Sequence, residues 1–359
     1  MVLETPRNVT RVETQAQTHR HDVEFGRKAL VAPKYLGTMA DQHDMSDLGR
    51  VQVLRRNFRF ISILGFACTL IATWEVILTL LGTGLMNGGT AGLVWGFIIV
   101  TLGFSLVFAS IAGMASMAST SGAQYHWVSE FAPRRYQKFL SYITGITGFS
   151  IFFNAFLARN LPMVEGLILI LHVVGLFAII IPLWVLAPRN NPRAVFTEFY
   201  NGGGWNSNAS AMMVGLSTTI TSMIGYDCPV HMSEEIKDAS ETLPNAMMAA
   251  VGVKAVLGFT MIITICFTLG DLTTILASPT GYPFIQIIQN MTRSYAATNT
   301  MTFALILTLI ASTITEVATA SRQLWSFARD GGVPFSSFFS YVRASPPPNL
   351  ASHSNASHL

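Results

Sequence analysis

The chain has 359 residues, 51% of them hydrophobic and only 11% Asp, Glu, Lys or Arg, against about 25% charged residues in an ordinary soluble domain. Residues 1–59 hold 17 of the 41 charges, and the remaining 300 residues hold 24. That is too few to cover a soluble surface, which excludes a soluble enzyme, a nucleic-acid binder and a disordered protein, and the net charge of +3 is too small to imply a polyanionic partner. The expected fold class is an all-α polytopic membrane protein behind a polar tail.

Spanning helices need about 20 mostly apolar residues. In chain order the runs are Phe60 to Leu81, with Glu75 as its only charge; Ala91 to Met117, with none; Phe139 to Ala158; Met163 to Ala187, carrying Glu165 and His172; Ala209 to Tyr226; Val251 to Leu269, with Lys254 placed to snorkel from one end; and Thr298 to Thr319, interrupted by Glu316. The runs are continuous rather than alternating, which argues against a β-barrel. Cys68, Cys228 and Cys266 sit in or beside apolar runs and suggest no disulfide framework.

No short apolar core of a secretory signal opens the chain, so the first helix is expected to target the membrane. Ten Lys/Arg precede it, ending in Arg55, Arg56 and Arg59, which predicts a cytoplasmic N-terminus. If all seven runs cross, 16 Lys/Arg fall inside and 6 outside; if Phe139–Ala158 does not cross, the count is 19 and 3. The second arrangement is better, so the segment 139–158 is anomalous and reads as a place where chain is missing. The organisation expected is a cytoplasmic tail over 1–59, a transmembrane domain over 60–320 with six spanning helices plus the fused segment, and a cytoplasmic loop and polar tail over 321–359. That topology puts Asn208 (Asn-Ala-Ser) and Asn290 (Asn-Met-Thr) outside, where glycosylation is possible.

Two helices look unsuited to being plain rods. The first contains Gly65, Thr69, Ala72, Thr73, Trp74 and Glu75; the fifth run contains Thr218, Thr221, Ser222, Met223, Ile224, Gly225 and Asp227 before Pro229. Small and hydroxylated residues beside a carboxylate suit either close helix packing or a broken helix whose bare peptide groups hold a charged solute near the midplane. Glu75 and Glu316 are intramembrane carboxylates, costly there and candidates for charge pairing or coupling. His172 reads as a packing residue. The segments 232–244 and 321–334 read as solvated connectors, the first capped by Ser233 and stopped before Pro244. His126, His172 and His231 lack metal-ligand spacing, so neither metal, cofactor nor enzymatic chemistry is expected.

Three segments carry a resemblance: "IGYDCPVHMSEEIKDASETLP" at 224–244, "ASRQLWSFARDGGVPFS" at 320–336 and "SMASTSGAQYHWVSEFAP" at 116–133. In this order they resemble the fungal amino acid, 4-aminobutyrate and choline permeases of the amino acid–polyamine–organocation superfamily. The resemblance implies an inverted-repeat transporter with discontinuous first and sixth family helices. It implies a substrate carboxylate meeting backbone around Ala72, Thr73, Trp74 and Glu75, with Thr221, Ser222, Met223 and Ile224 lining the other side. It also implies proton-coupled alternating access for an amino acid or small amine, in a plasma or vacuolar membrane, with no cofactor and no nucleic acid as partner. The chain departs from the pattern twice. "KFLSYITG" (138–145) resembles the start of the family's third helix and "FSIFFNAFLARNLPMVEG" (149–166) the end of its fourth, with a junction near Gly145–Gly148; after Tyr341 the polar tail replaces further helices. The alternative function is therefore a non-transporting permease fragment, or a subunit of a full-length relative.

Overall fold

The computed structural model describes residues 37–50, 52–123, 126–127 and 161–340, with side chains from 166 onward in the last stretch. The run 139–158, the Gly145–Gly148 junction, the Glu165 side chain, the tail from 341 and part of the 116–133 motif lie outside the described residues. The chain divides into two units, 1–56 with 341–359, and 57–340.

In the first unit α1 spans Met39–Asp47. Its start is a reciprocal cap: Thr38 Oγ1 accepts from the Asp41 N–H at 3.2 Å and Asp41 Oδ2 accepts from the Thr38 N–H at 3.0 Å. Asp41 Oδ1 also pairs with Arg56 at 3.0 Å, both side chains buried.

The second unit is helical among its described residues, with two isolated bridges, Phe58 with Ile236 and Asn87 with Asn201. Helix α2 (Phe60–Ile71) gives way to α3 (Thr73–Thr79) and α4 (Leu81–Met86). Helix α5 (Gly89–Met117) has 29 residues without charge or proline, about 43 Å at 1.5 Å per residue. Then come α6 (Leu161–Leu186), α7 (Pro192–Thr197) and α8 (Asn208–Thr221), followed by a 3-10 helix over Cys228–Glu235. Helix α9 (Ala239–Thr268), the short α10 (Leu272–Leu276), α11 (Pro283–Thr292), the 35-residue α12 (Tyr295–Arg329) and α13 (Ser336–Phe339) complete it.

Five stretches are long and apolar enough to cross a membrane: Phe60–Thr79, Gly89–Met117, Gly166–Leu186, Ala239–Thr268 and Tyr295–Arg329. The fifth expected run, Ala209 to Tyr226, is helical only to Thr221. Apolar side chains line the outside of these helices at helical spacing: Ile99, Leu102 and Leu106; Leu167, Ile170, Val174, Phe177 and Ile181; Phe303, Ile306 and Ile310. A stripe at i, i+3, i+4 normally faces a core; here it faces outward, as expected where the surroundings are hydrocarbon. Inside, Trp74, Leu78, Phe97, Leu176, Met223, Ile262 and Leu305 belong to one buried cluster.

Two expectations about connectors are corrected. The helix does not stop before Pro244: α9 begins at Ala239 and runs through it. Pro244 is the sixth residue, so its missing N–H removes only one bond just past a first turn that has no ladder partner anyway. Nor is the 232–244 segment solvated. Glu234 is fully buried and takes Arg329 bidentately, Oε2 from one guanidinium nitrogen at 2.9 Å and Oε1 from the other at 2.7 Å. Glu235 pairs with Arg322 at 2.8 Å. The neighbouring strand-like contact fixes the start of α2: the Phe58 N–H donates to the Glu235 carbonyl at 2.9 Å and the Lys237 N–H to the Phe58 carbonyl at 3.0 Å. His231 Nδ1 lies 3.0 Å from the Ser121 carbonyl, tying in the turn that follows α5. Charge alone misread these residues because each carboxylate meets its guanidinium about 90 positions later in the chain.

Candidate functional site

The first break falls at Ala72, left-handed at φ 40°, ψ 43°, a conformation that costs a non-glycine residue roughly 1–2 kcal/mol. It separates α2 from α3 and leaves carbonyls of the last α2 turn without their usual amides. Ser312 on α12 answers one of them, donating to the Leu70 carbonyl at 3.0 Å. The second break follows α8: Ser222 to Asp227 are outside any helix, and Gly225 takes φ 101°. The two breaks touch. A Cβ on Gly225 would stand 2.6 Å from Leu70 Cδ2 and 4.0 Å from the Ile71 Cα, so glycine permits both the backbone angle and the approach. Tyr226 packs against Ile71, Phe108 and Val251, its ring 4.9 Å from that of Phe108. Beyond the break, Thr218 donates to the Leu80 carbonyl at 3.1 Å, binding α8 to the α3–α4 junction.

Ala72, Thr73, Trp74 and Glu75 are all buried. Four of their region's polar atoms have neither a hydrogen-bond nor an ion-pair partner among the described residues: Thr69 Oγ1, Thr73 Oγ1, Trp74 Nε1 and Glu75 Oε2. Buried polar groups are almost always paired, so this concentration of open donors and acceptors at a helix break is unusual. Of the residues expected on the other side, Ser222 and Met223 are buried, while Thr221 and Ile224 are exposed. Thr221 donates to the Ser217 carbonyl and Ser222 to the Thr219 carbonyl, so both hydroxyls face back along α8.

The sequence reading missed what flanks Glu75. His172, expected to be mere packing, puts Nδ1 2.5 Å from Glu75 Oε1. Lys254, expected to snorkel, lies in the middle of α9, fully buried, with Nζ 2.5 Å from His172 Nε2. Mid-helix placement leaves its amine no route to an interface, and the His172 imidazole is the partner it meets instead. The signal was present as three ionisable residues on three apolar runs, but their juxtaposition depends on packing. Trp74 covers the group, its ring 5.5 Å from that of His172. Glu316 is not part of this cluster; it is exposed on α12, and Arg322 beyond it turns to Glu235. Asn208 and Asn290 are exposed, at the start of α8 and on α11. Among the described residues no group of His, Cys, Asp and Glu could hold a metal ion.

Outward apolar stripes, two discontinuous helices in contact and buried ionisable groups just after the first break define a multi-pass membrane protein of the carrier type. A sequence model described as amino acid permease matches residues 139–352; this chain belongs to that family. It is 28% identical over 326 residues to a Macrophomina phaseolina protein provisionally named an amino acid/polyamine transporter, covering 78% of this chain and 72% of that one. It is 26% identical over 377 residues to a choline transporter of Saccharomyces cerevisiae, covering 92% and 66%. It is 25% identical over 356 residues to a GABA-specific permease of the same yeast, covering 84% and 62%. The chain thus spans about two-thirds of the length of these relatives. The choline-transporter alignment draws on 92% of 359 residues, about 330, over 377 positions, which leaves about 47 positions with no counterpart here.

Proposed function

We propose that this chain carries an amino acid or small amine across a membrane by alternating exposure of a site at the two facing breaks. The contact of Gly225 with Leu70 and Ile71, beside four unpartnered buried polar atoms, carries this reading. Ala72 to Glu75 form one wall and Ser222 and Met223 the other, with Thr221 and Ile224 at its open edge. Glu75 is the charge partner of the solute's nitrogen and the candidate for proton coupling. Glu316, exposed on α12, is the weaker coupling candidate. The surplus of Lys/Arg before α2 favours a cytoplasmic N-terminus, with Asn208 and Asn290 outside and open to glycosylation, in a plasma or vacuolar membrane. The names of the relatives support a nitrogenous solute. The test is uptake of labelled amino acids, 4-aminobutyrate and choline in a permease-deficient host: saturable uptake, lost with Glu75→Gln, is the expected result.

A second reading is favoured by the roughly 47 relative positions that this chain lacks. In it the chain inserts but does not transport alone, and works with a full-length relative. No uptake by correctly inserted protein, restored by co-expression of such a relative, selects this reading.

A further inference from the structure

Apart from the Glu234, Glu235 and Arg322 group, the buried formally charged side chains among the described residues of 57–340 are Glu75 and Lys254. They do not touch. His172 stands between them with one ring nitrogen 2.5 Å from each. A neutral imidazole satisfies both contacts, accepting from the ammonium at Nε2 and donating from Nδ1–H to the carboxylate, a tautomer assigned from its neighbours. The cluster then sums to zero charge, with one carboxylate oxygen, Glu75 Oε2, left without a partner.

We propose that Lys254 is a built-in counter-ion that makes this site select net-neutral zwitterions over cations, an inference that rests on the reading of the two breaks as the solute site. A monocation entering a dry, net-neutral site gives up its hydration and finds no uncompensated anion, so it stays an unbalanced charge in low dielectric. A quaternary ammonium also has no N–H to give Glu75 Oε2. A zwitterion adds no net charge. Its ammonium donates to Oε2, and its carboxylate takes the open donors of Thr69, Thr73 and Trp74, all buried beside the break. The structure thus separates two solute classes, amino acids and quaternary amines, that the sequence motifs leave equal.

The test is equilibrium binding of labelled 4-aminobutyrate and labelled choline to the purified full-length chain in lipid nanodiscs. The wild type is expected to favour 4-aminobutyrate by about tenfold or more, and Lys254→Met, which leaves Glu75 as an uncompensated anion, to move that ratio toward choline by about tenfold, a 1.4 kcal/mol change. Lys254→Met leaves a buried charge unpaired, so the double variant E75Q/K254M, which removes both charges together, serves where the single one fails to fold. The double variant is still net-neutral, so it is expected to keep the wild-type preference for 4-aminobutyrate over choline. A preference for choline in the wild type, an unchanged ratio in Lys254→Met, or a shift of the double variant toward choline overturns the proposal while leaving the carrier reading intact. Binding of neither probe nor any amino acid by the wild type overturns both.

Discussion

Ser312 donates its hydroxyl to the Leu70 carbonyl at 3.0 Å across 242 positions of chain. The bond joins the longest helix of the structure to the last turn of α2, at the point where Ala72 turns the chain left-handed. It supplies from a distant helix a donor that the broken helix no longer supplies itself. Ser312→Ala removes that donor and leaves a partly buried carbonyl unmet. The expected loss is about 1 kcal/mol, read as a lower thermal midpoint in detergent; an unchanged midpoint would show that the break is held by other contacts.

The Glu234–Arg329 pair is set between the segment after α8 and the end of α12, with Glu234 fully buried. Removing one partner of a buried pair costs roughly 3–5 kcal/mol because the other charge stays behind. Glu234→Ala is therefore expected to lower folded yield sharply, and Glu234→Ala with Arg329→Ala to lose less than the sum of the two single changes. A double-mutant cycle on unfolding midpoints measures this, and strict additivity would contradict the pairing.

Gly215 lies where α8 crosses the end of α4. A Cβ there would come 1.8 Å from the Asn87 carbonyl oxygen and 3.6 Å from that of Gly84. Both obstacles are backbone, so no rotamer relieves the clash. Gly215→Ala is expected to push the helices apart and destabilise the protein by about 1–3 kcal/mol, the usual range for overpacking. Comparable thermal stability of this variant and the wild type would mean that the crossing is looser than the structure places it.

Asp271 caps α10 outside the long helices, accepting at Oδ2 from the Thr274 hydroxyl at 2.6 Å, the Thr273 hydroxyl at 2.7 Å and the Thr274 N–H at 2.9 Å. The Thr274 hydroxyl, then the Thr273 hydroxyl and the Thr274 amide, hold its carboxyl down at about 2 from an ordinary value of 3.8. A depressed carboxylate pKa gives stability that is fully present above the unfolded value and disappears as pH falls through the folded one. Local order at α10 is thus expected to be constant above about pH 4 and to decline toward pH 2. The protection factor of the Thr274 amide in hydrogen exchange, with the intrinsic pH dependence removed, checks it across that window, and protection already lost above pH 5 would assign the loss to another group.

Much of this architecture was readable from residue types. Runs of about 20 apolar residues predict helices wherever the surroundings are hydrocarbon, and four of them appear as whole spanning helices. The two unusual helices were visible as well, because glycine, threonine and a carboxylate in an apolar run are local departures. Their breaks fall at Ala72 and after Thr221, within the segments that composition marks out. The connector 232–244 was not readable. Its Glu-Glu pair looks like any solvated charge run until Arg322 and Arg329 arrive from α12.

The sequence by itself determined that the chain lives in a bilayer, which elements are helices and which two are chemically unsuited to being plain rods: small side chains, hydroxyls and Glu75. Those are properties of neighbours in the chain, and local preference with the cost of burying charge decides them. Only the tertiary structure decided that His172 and Lys254 meet Glu75, that Gly225 rests on Leu70, and that Glu234 and Glu235 are buried. Each of these joins residues on different helices. Whether an ionisable group in a membrane is a lone cost or half of a balanced pair depends on what packing brings within about 3 Å of it.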